Sequence, residues 1–143
     1  MNVILRRTGL ALAVLVAGLQ LWPAGRTNPA VTADLRAGHE VQSILRRSCY
    51  DCHSNETRWP WYAYVAPVSW IVVHDVEEGR DELNFSSWEE LSPERKRKRA
   101  EKSIEEVEEG HMPLPKYLRL HSQTRVAPEE LEILRGWARE HGG

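Results

Sequence analysis

The chain opens with apolar residues that follow neither a helical nor a strand period. Between Arg7 and Arg26, the 18 residues from Thr8 to Gly25 carry no formal charge. An all-round apolar stretch behind a basic start is the pattern of a membrane-directed leader, and a buried helix of a soluble domain is the blander alternative. Its heart, Leu10 to Leu21, matches the apolar region of a secretory signal, while the whole stretch sits near the lower limit for a spanning helix, roughly 17–25 residues. Leu21, Trp22 and Pro23 stand where a cleavage site needs small residues, and Val31-Thr32-Ala33 fits that need only far downstream. Residues 1–25 are therefore expected to remain as an uncleaved transmembrane or signal-anchor helix. Trp22 then lies at the interface and Arg6 and Arg7 stay cytoplasmic, which places the remainder on the periplasmic side of the cell (inner) membrane as a single-pass protein.

The pattern then changes. Residues 26–33, RTNPAVTA, show no periodicity and read as a linker, which leaves 34–143 as the folded domain. Leu35, Val41, Ile44 and Leu45 recur at helical spacing and predict a helix from Asp34 to about Arg47. Pro67 suits the first turn of a second helix, running to about Glu78 and closed by Gly79. Ser86 with Glu89 makes a capping-box pattern. Ser92-Pro93-Glu94 starts a helix that runs to Gly110 with Ala100, Ile104 and Val107 as its buried stripe. Pro113 and Pro115 exclude regular structure from Gly110 to Lys116. Pro128-Glu129-Glu130 opens a last helix with Leu131, Leu134, Trp137 and Ala138 on one face. No strand pattern and no repeat emerges, so five short helices joined by loops make an all-α domain.

Charge narrows the function classes. With 19 Lys+Arg against 21 Asp+Glu among 143 residues, the net charge of -2 offers no field for a nucleic-acid backbone. Arg95 to Arg99 and then Glu105, Glu106, Glu108 and Glu109 share one helix against its macrodipole. They read as a solvated face, the sharper alternative being a docking patch for an acidic redox partner or the membrane surface. No phosphate loop, Ser/His/Asp order or paired-carboxylate pattern stands out, so neither a small-molecule substrate nor an enzymatic activity is expected.

The chain has two cysteines, and both fall in Cys49-Tyr50-Asp51-Cys52-His53. This is CxxCH, the attachment motif of a c-type haem. Two thiols three residues apart can form thioethers with the vinyl groups on one porphyrin edge, and the next histidine becomes the proximal iron ligand. A redox disulfide and a zinc site are the alternatives, although a zinc site lacks further cysteines and finds no paired histidines among His39, His74, His111 and His121. Met112, between Gly110 and two prolines, is the expected sixth ligand, with His111, His74 and His121 as competitors and a gap-filling core methionine as the bland reading. Six Trp and four Tyr against one Phe is an unusual balance. Trp59, Trp61, Tyr62 and Tyr64 suit either the cover of a porphyrin or a packed loop without haem contact.

These residues resemble the haem-binding domain family of small membrane-anchored monohaem cytochromes c. The likeness runs through Arg26-Thr27-Asn28-Pro29, Cys49 to Asn55, Trp59-Pro60-Trp61-Tyr62, Ala66-Pro67-Val68-Ser69-Trp70, His74-Asp75-Val76, Gly79-Arg80, Leu83 to Ser86, and Met112 to Pro115 with Tyr117 and His121. Ala30 departs from it where a second proline is expected. The resemblance implies a cytochrome c-like helical fold around one covalent haem c, with His53 and Met112 on the iron; Trp59, Trp61 and Tyr117 are the further expected cofactor contacts. The expected function is electron transfer on the periplasmic side, with a redox protein partner or within a membrane redox complex. A haem-based sensor or small-ligand-binding domain, and an accessory haem subunit of a respiratory or photosynthetic complex, are the rivals.

Overall fold

The computed structural model describes residues 3–140, so the extreme ends of the expected anchor and domain, 1–2 and 141–143, lie outside the described residues. Seven α-helices and three short 3₁₀ turns, with no strand among the described residues, establish the all-α class. The helices are α1 (Val3–Leu19), α2 (His39–Ser48), α3 (Tyr50–His53), α4 (Val68–Glu82), α5 (Pro93–Glu108), α6 (Pro115–Leu118) and α7 (Pro128–Glu140).

The leader forms a helix, but one that falls short of the expected span. Helix α1 has 17 residues and includes Arg6 and Arg7, so its uncharged part, Thr8 to Leu19, is about 18 Å long at 1.5 Å per residue against about 30 Å of hydrocarbon. Gln20 and Leu21 only continue as a turn, and Pro23 lacks the N–H that would carry the helix on. Among the described residues, no helix is long and apolar enough to cross a membrane. The expectation of a spanning helix over 1–25 is corrected accordingly.

Residues 26–33, expected to be a linker, are hydrogen-bonded into the domain. Asn28 Nδ2 donates to the Thr57 carbonyl at 2.9 Å and Asn55 Nδ2 to the Ala30 carbonyl at 2.8 Å, while Arg80 reaches Thr27 and Asn28 from α4. The next residues are extended, not helical. Ala33 N–H donates to Ser86 O and Leu35 N–H to Phe85 O, so Leu35 enters the core through this pairing, and α2 starts only at His39.

One core joins α2, α3, α5, α7 and the 3₁₀ turn Phe85–Glu90. The Tyr50 and Phe85 rings stack at 5.2 Å, Phe85 meets Trp88 at 5.8 Å, and Trp88 meets Trp137 at 5.4 Å, an aromatic path from α3 to α7. Helix α5 packs on α7 through Ala100 and Ile104, and α7 buries Leu134, Trp137 and Ala138. Of the expected stripe of α5, Ala100 and Ile104 are packed, while Val107 is half-buried and faces a cavity. Three local expectations fail. Helix α4 continues past Gly79 to Glu82, and the turn at Phe85 is capped by Asn84, whose side chain accepts from Ser86 N–H, while the Ser86 hydroxyl accepts from Asn55 N–H. Pro115, expected to break structure, instead begins α6, where its missing N–H costs nothing.

Candidate functional site

The CxxCH motif is set by two helices meeting end to end. Helix α2 ends at Ser48, and Cys49 N–H still donates to Leu45 O at 2.8 Å; α3 then starts, and His53 N–H donates to Cys49 O at 2.9 Å. Helix α4 presses directly on this turn. A Cβ at Gly79 would lie 2.7 Å from the Cys52 carbonyl oxygen, which is why α4 carries glycine there.

The close approach orients His53. Its Nδ1 lies 2.7 Å from Gly79 O and 3.1 Å from Leu83 O. Both partners are acceptors, so Nδ1 carries the proton and Nε2 of the neutral ring keeps its lone pair. Burial holds the imidazole below its ordinary pKa, outweighing the opposing effect of the two carbonyls. A neutral imidazole fixed through one nitrogen is the usual posture of a metal ligand.

Cys49 and His53 line both of two adjoining cavities. The first, about 180 Å3, is walled by Leu45, Phe85, Ile104, Val107, Leu134 and Trp137, with Arg99, Lys102 and Glu82 at its polar margin. The second, about 450 Å3, adds Cys52, Asp51, Asp75, Gly79, Leu114 and Tyr117. Met112 and Pro113 line both cavities from the other side of the sequence. Gly110, at a φ of 75°, turns the chain after α5, and the N–H groups of His111 and Met112 both donate to Glu106 O at 3.0 Å. That turn directs Met112 to the cleft.

The other expected contacts divide. Tyr117 lines the second cavity, and its hydroxyl donates to Asp51 at 2.9 Å; burial and the Asp51 charge both keep the phenol protonated. Trp59 and Trp61 line neither cavity, and Trp61 is 77% exposed. Of the competing histidines, His74 and His111 are exposed and face Glu78 and the Glu106/Glu109 pair respectively. His121 stacks on Tyr117 at 4.3 Å and bonds the Tyr62 hydroxyl through Nε2 at 2.8 Å. None of the three lines either cavity.

Both cysteines are free thiols. Burial pushes Cys49 and Cys52 up to about 12, Cys52 further raised by the Asp51 and Asp75 charges, whereas a reactive cysteine needs a depressed pKa. No group of three or more His, Cys, Asp or Glu suited to a bare metal ion occurs among the described residues. Arg99 and Lys102 escaped the sequence reading, which placed Arg99 on a solvated face; they meet Glu82 of α4 at 3.3 and 3.6 Å at the cavity edge. Nothing local in the sequence pairs α4 with α5.

The second cavity gathers an imidazole, two thiols and a thioether, and the first sets an apolar wall beside three of them, in a small all-α domain. Residues 14–140 match the haem-binding domain family, and the chain belongs to that family. No curated protein and no solved structure matches the chain.

Proposed function

We propose that the chain is a c-type cytochrome that carries electrons and is not an enzyme in its own right. The observation that supports this best is the pair of groups across the cleft: His53, with Nδ1 tied to Gly79 and Leu83, and Met112, delivered by the Gly110 turn. The donor set suits haem c. Cys49 and Cys52 would hold it by adding their S–H bonds across its two vinyl groups, a reaction that consumes no oxidant. His53 Nε2 and Met112 Sδ are the donors that would hold its iron. When bound, haem supplies a one-electron ferrous–ferric couple whose potential follows its axial ligands and burial.

The protein's own residues prepare that couple. The Gly79 and Leu83 carbonyls fix the tautomer and strengthen His53 as a donor, and the apolar wall would lower the dielectric around a bound haem. Arg99 and Lys102 are the cations available to the haem carboxylates, with Glu82 shared between them. A thioether favours ferrous iron, which suits a carrier with a potential above that of a bis-histidine site. Electron exchange requires a redox partner protein or membrane complex, and a basic and then apolar leader supports a domain that works outside the cytoplasm.

The test is optical. The protein should retain its haem through acid–acetone extraction, and the ferric form should show the weak sulfur-to-iron band near roughly 695 nm. Met112→Ala should abolish the band and admit carbon monoxide, while His111, His74 and His121 variants leave it in place. A wild type that is already high-spin and binds carbon monoxide would favour a sensor instead.

A further inference from the structure

The two longest uncharged stretches of the sequence are Thr8 to Gly25 and Trp59 to Val73. They are far apart in the chain and meet in the fold. Gln20, just past α1, exchanges two hydrogen bonds with Ala66: its Nε2 donates to Ala66 O at 3.2 Å and its Oε1 accepts from Ala66 N–H at 3.0 Å. Trp70 Nε1 donates to Trp22 O at 2.9 Å. The end of α1 is thereby fixed to the start of α4 and the 3₁₀ turn Trp61–Tyr64.

Around this junction apolar side chains point outward. Trp61 is 77% exposed, Tyr64 58%, Ile71 52% and Trp22 78%, with Val65 and Val68 exposed beside them. Ile71 follows Val68 by three residues, so both stand on one face of α4. Helix α1 itself buries no residue. Arg26 marks the margin, its guanidinium 4.2 Å over the Tyr64 ring.

We propose that this face of the folded domain rests in the interfacial layer of a lipid bilayer, as a continuation of the apolar surface of α1. Lipid suits it better than a protein partner because the stretch Thr8 to Leu19 of α1 is uncharged on every side and can be surrounded by acyl chains, whereas a protein surface covers one side. Trp and Tyr combine an apolar body with a hydrogen-bonding tip, the chemistry favoured at headgroup level, and Arg26 is placed to meet phosphate. The contact also answers the shortness of α1. A helix with about 18 Å of uncharged length gains membrane affinity from a second apolar surface fixed beside its end. Helix α4 starts in this face and ends at the cleft through Gly79 and Glu82, so lipid contact there turns the cleft end away from the bilayer.

The test uses the full chain with its haem and vesicles of phosphatidylcholine alone, so that bulk charge plays no part. Hydroxyl-radical labelling read by mass spectrometry should show Trp61 and Tyr64 protected when vesicles are added, with exposed Leu120 unchanged. The triple variant W61S/Y64S/I71S should partition about tenfold more weakly, and L120S should bind as wild type does. All three positions are exposed, and an unchanged visible spectrum confirms that the variant is folded. Equal labelling of Trp61 in free and vesicle-bound protein, equal partition of the triple variant, or absence of vesicle binding would each overturn the proposal. Concentration-dependent protection without vesicles would overturn it in favour of a second copy of the chain. None of these outcomes touches the haem assignment, which the optical test decides.

Discussion

The Nδ1 of His53 lies 2.7 Å from the carbonyl oxygen of Gly79, and the same oxygen accepts the N–H of Leu83 at 2.9 Å, so the last turn of α4 holds the imidazole by its own backbone. The absence of a side chain at Gly79 lets this happen, because it brings α4 against the Cys52 carbonyl.

Gly79→Ala follows directly. Its methyl would meet the Cys52 carbonyl oxygen at 2.7 Å, a backbone atom that cannot step aside alone, so α3 and α4 must separate. Overpacking of this kind costs about 1–3 kcal/mol. The separation also lengthens the His53 bond, so chemical unfolding should show reduced stability and the visible spectrum a weakened proximal ligand.

What the sequence disclosed and what it hid divide by range. CxxCH, the Gly110 stop and the stripes of α5 and α7 depend on neighbours within a few residues, and they lie where the pattern put them. Gly79 looks the same as a helix stop until α3 is seen against it. Ser86 looks like a cap until Asn55, 31 residues away, is found on its hydroxyl. Leu35 is in the core as expected, yet through a bond to the Phe85 carbonyl, a pairing no period reports. The aromatic cluster looks like one unit in the sequence, but Tyr62 turns inward to His121 and Trp61 outward. Arg99 and Lys102 reach the cleft only because α5 crosses the end of α4.

Gly110→Ala separates backbone conformation from contact. Its φ of 75° lies in the left-handed region, and no atom lies within 4 Å of the position its Cβ would take. The cost is therefore the conformational one, about 1–2 kcal/mol. Urea unfolding should register it, and the sulfur-to-iron band should weaken if the turn relaxes, since the Met112 N–H bond to Glu106 depends on that turn.

Arg80 ties the residues before α2 to the loop after α3. Its Nε donates to Ser54 O at 2.8 Å, Nη1 to Thr27 O at 2.9 Å, and Nη2 to Asn28 Oδ1 and Thr57 Oγ1, each at 2.9 Å. A lysine ammonium cannot span that fork. Arg80→Lys should cost about 2 kcal/mol and open the backbone between 26 and 31 to limited proteolysis, while haem binding persists. Unchanged protease resistance would show that Asn28 and Asn55 suffice to hold the segment.

Acid should loosen the domain at the seam between α2 and α7. Arg47 grips Glu130 with both terminal guanidinium nitrogens, Nη1 at 2.7 and Nη2 at 2.6 Å, and the Ala127 N–H donates to the same carboxylate at 2.9 Å. These bonds, the Arg47 one first, hold Glu130 below its ordinary pKa of 4.5, and Lys96 does the same for Glu89. A carboxylate with a lower pKa folded than unfolded binds fewer protons in the folded state, so each proton taken up on acidification favours unfolding. The stabilisation is complete above the unfolded value near 4.5 and is lost as pH falls through the depressed folded value. Urea midpoints measured from pH 7 to pH 3 should therefore fall most steeply below about 4.5. Glu130→Gln should be less stable than wild type by about 1 kcal/mol at pH 7, and the two curves should converge in acid, because the variant has no charge there to lose. Parallel curves would assign the acid sensitivity to other carboxylates.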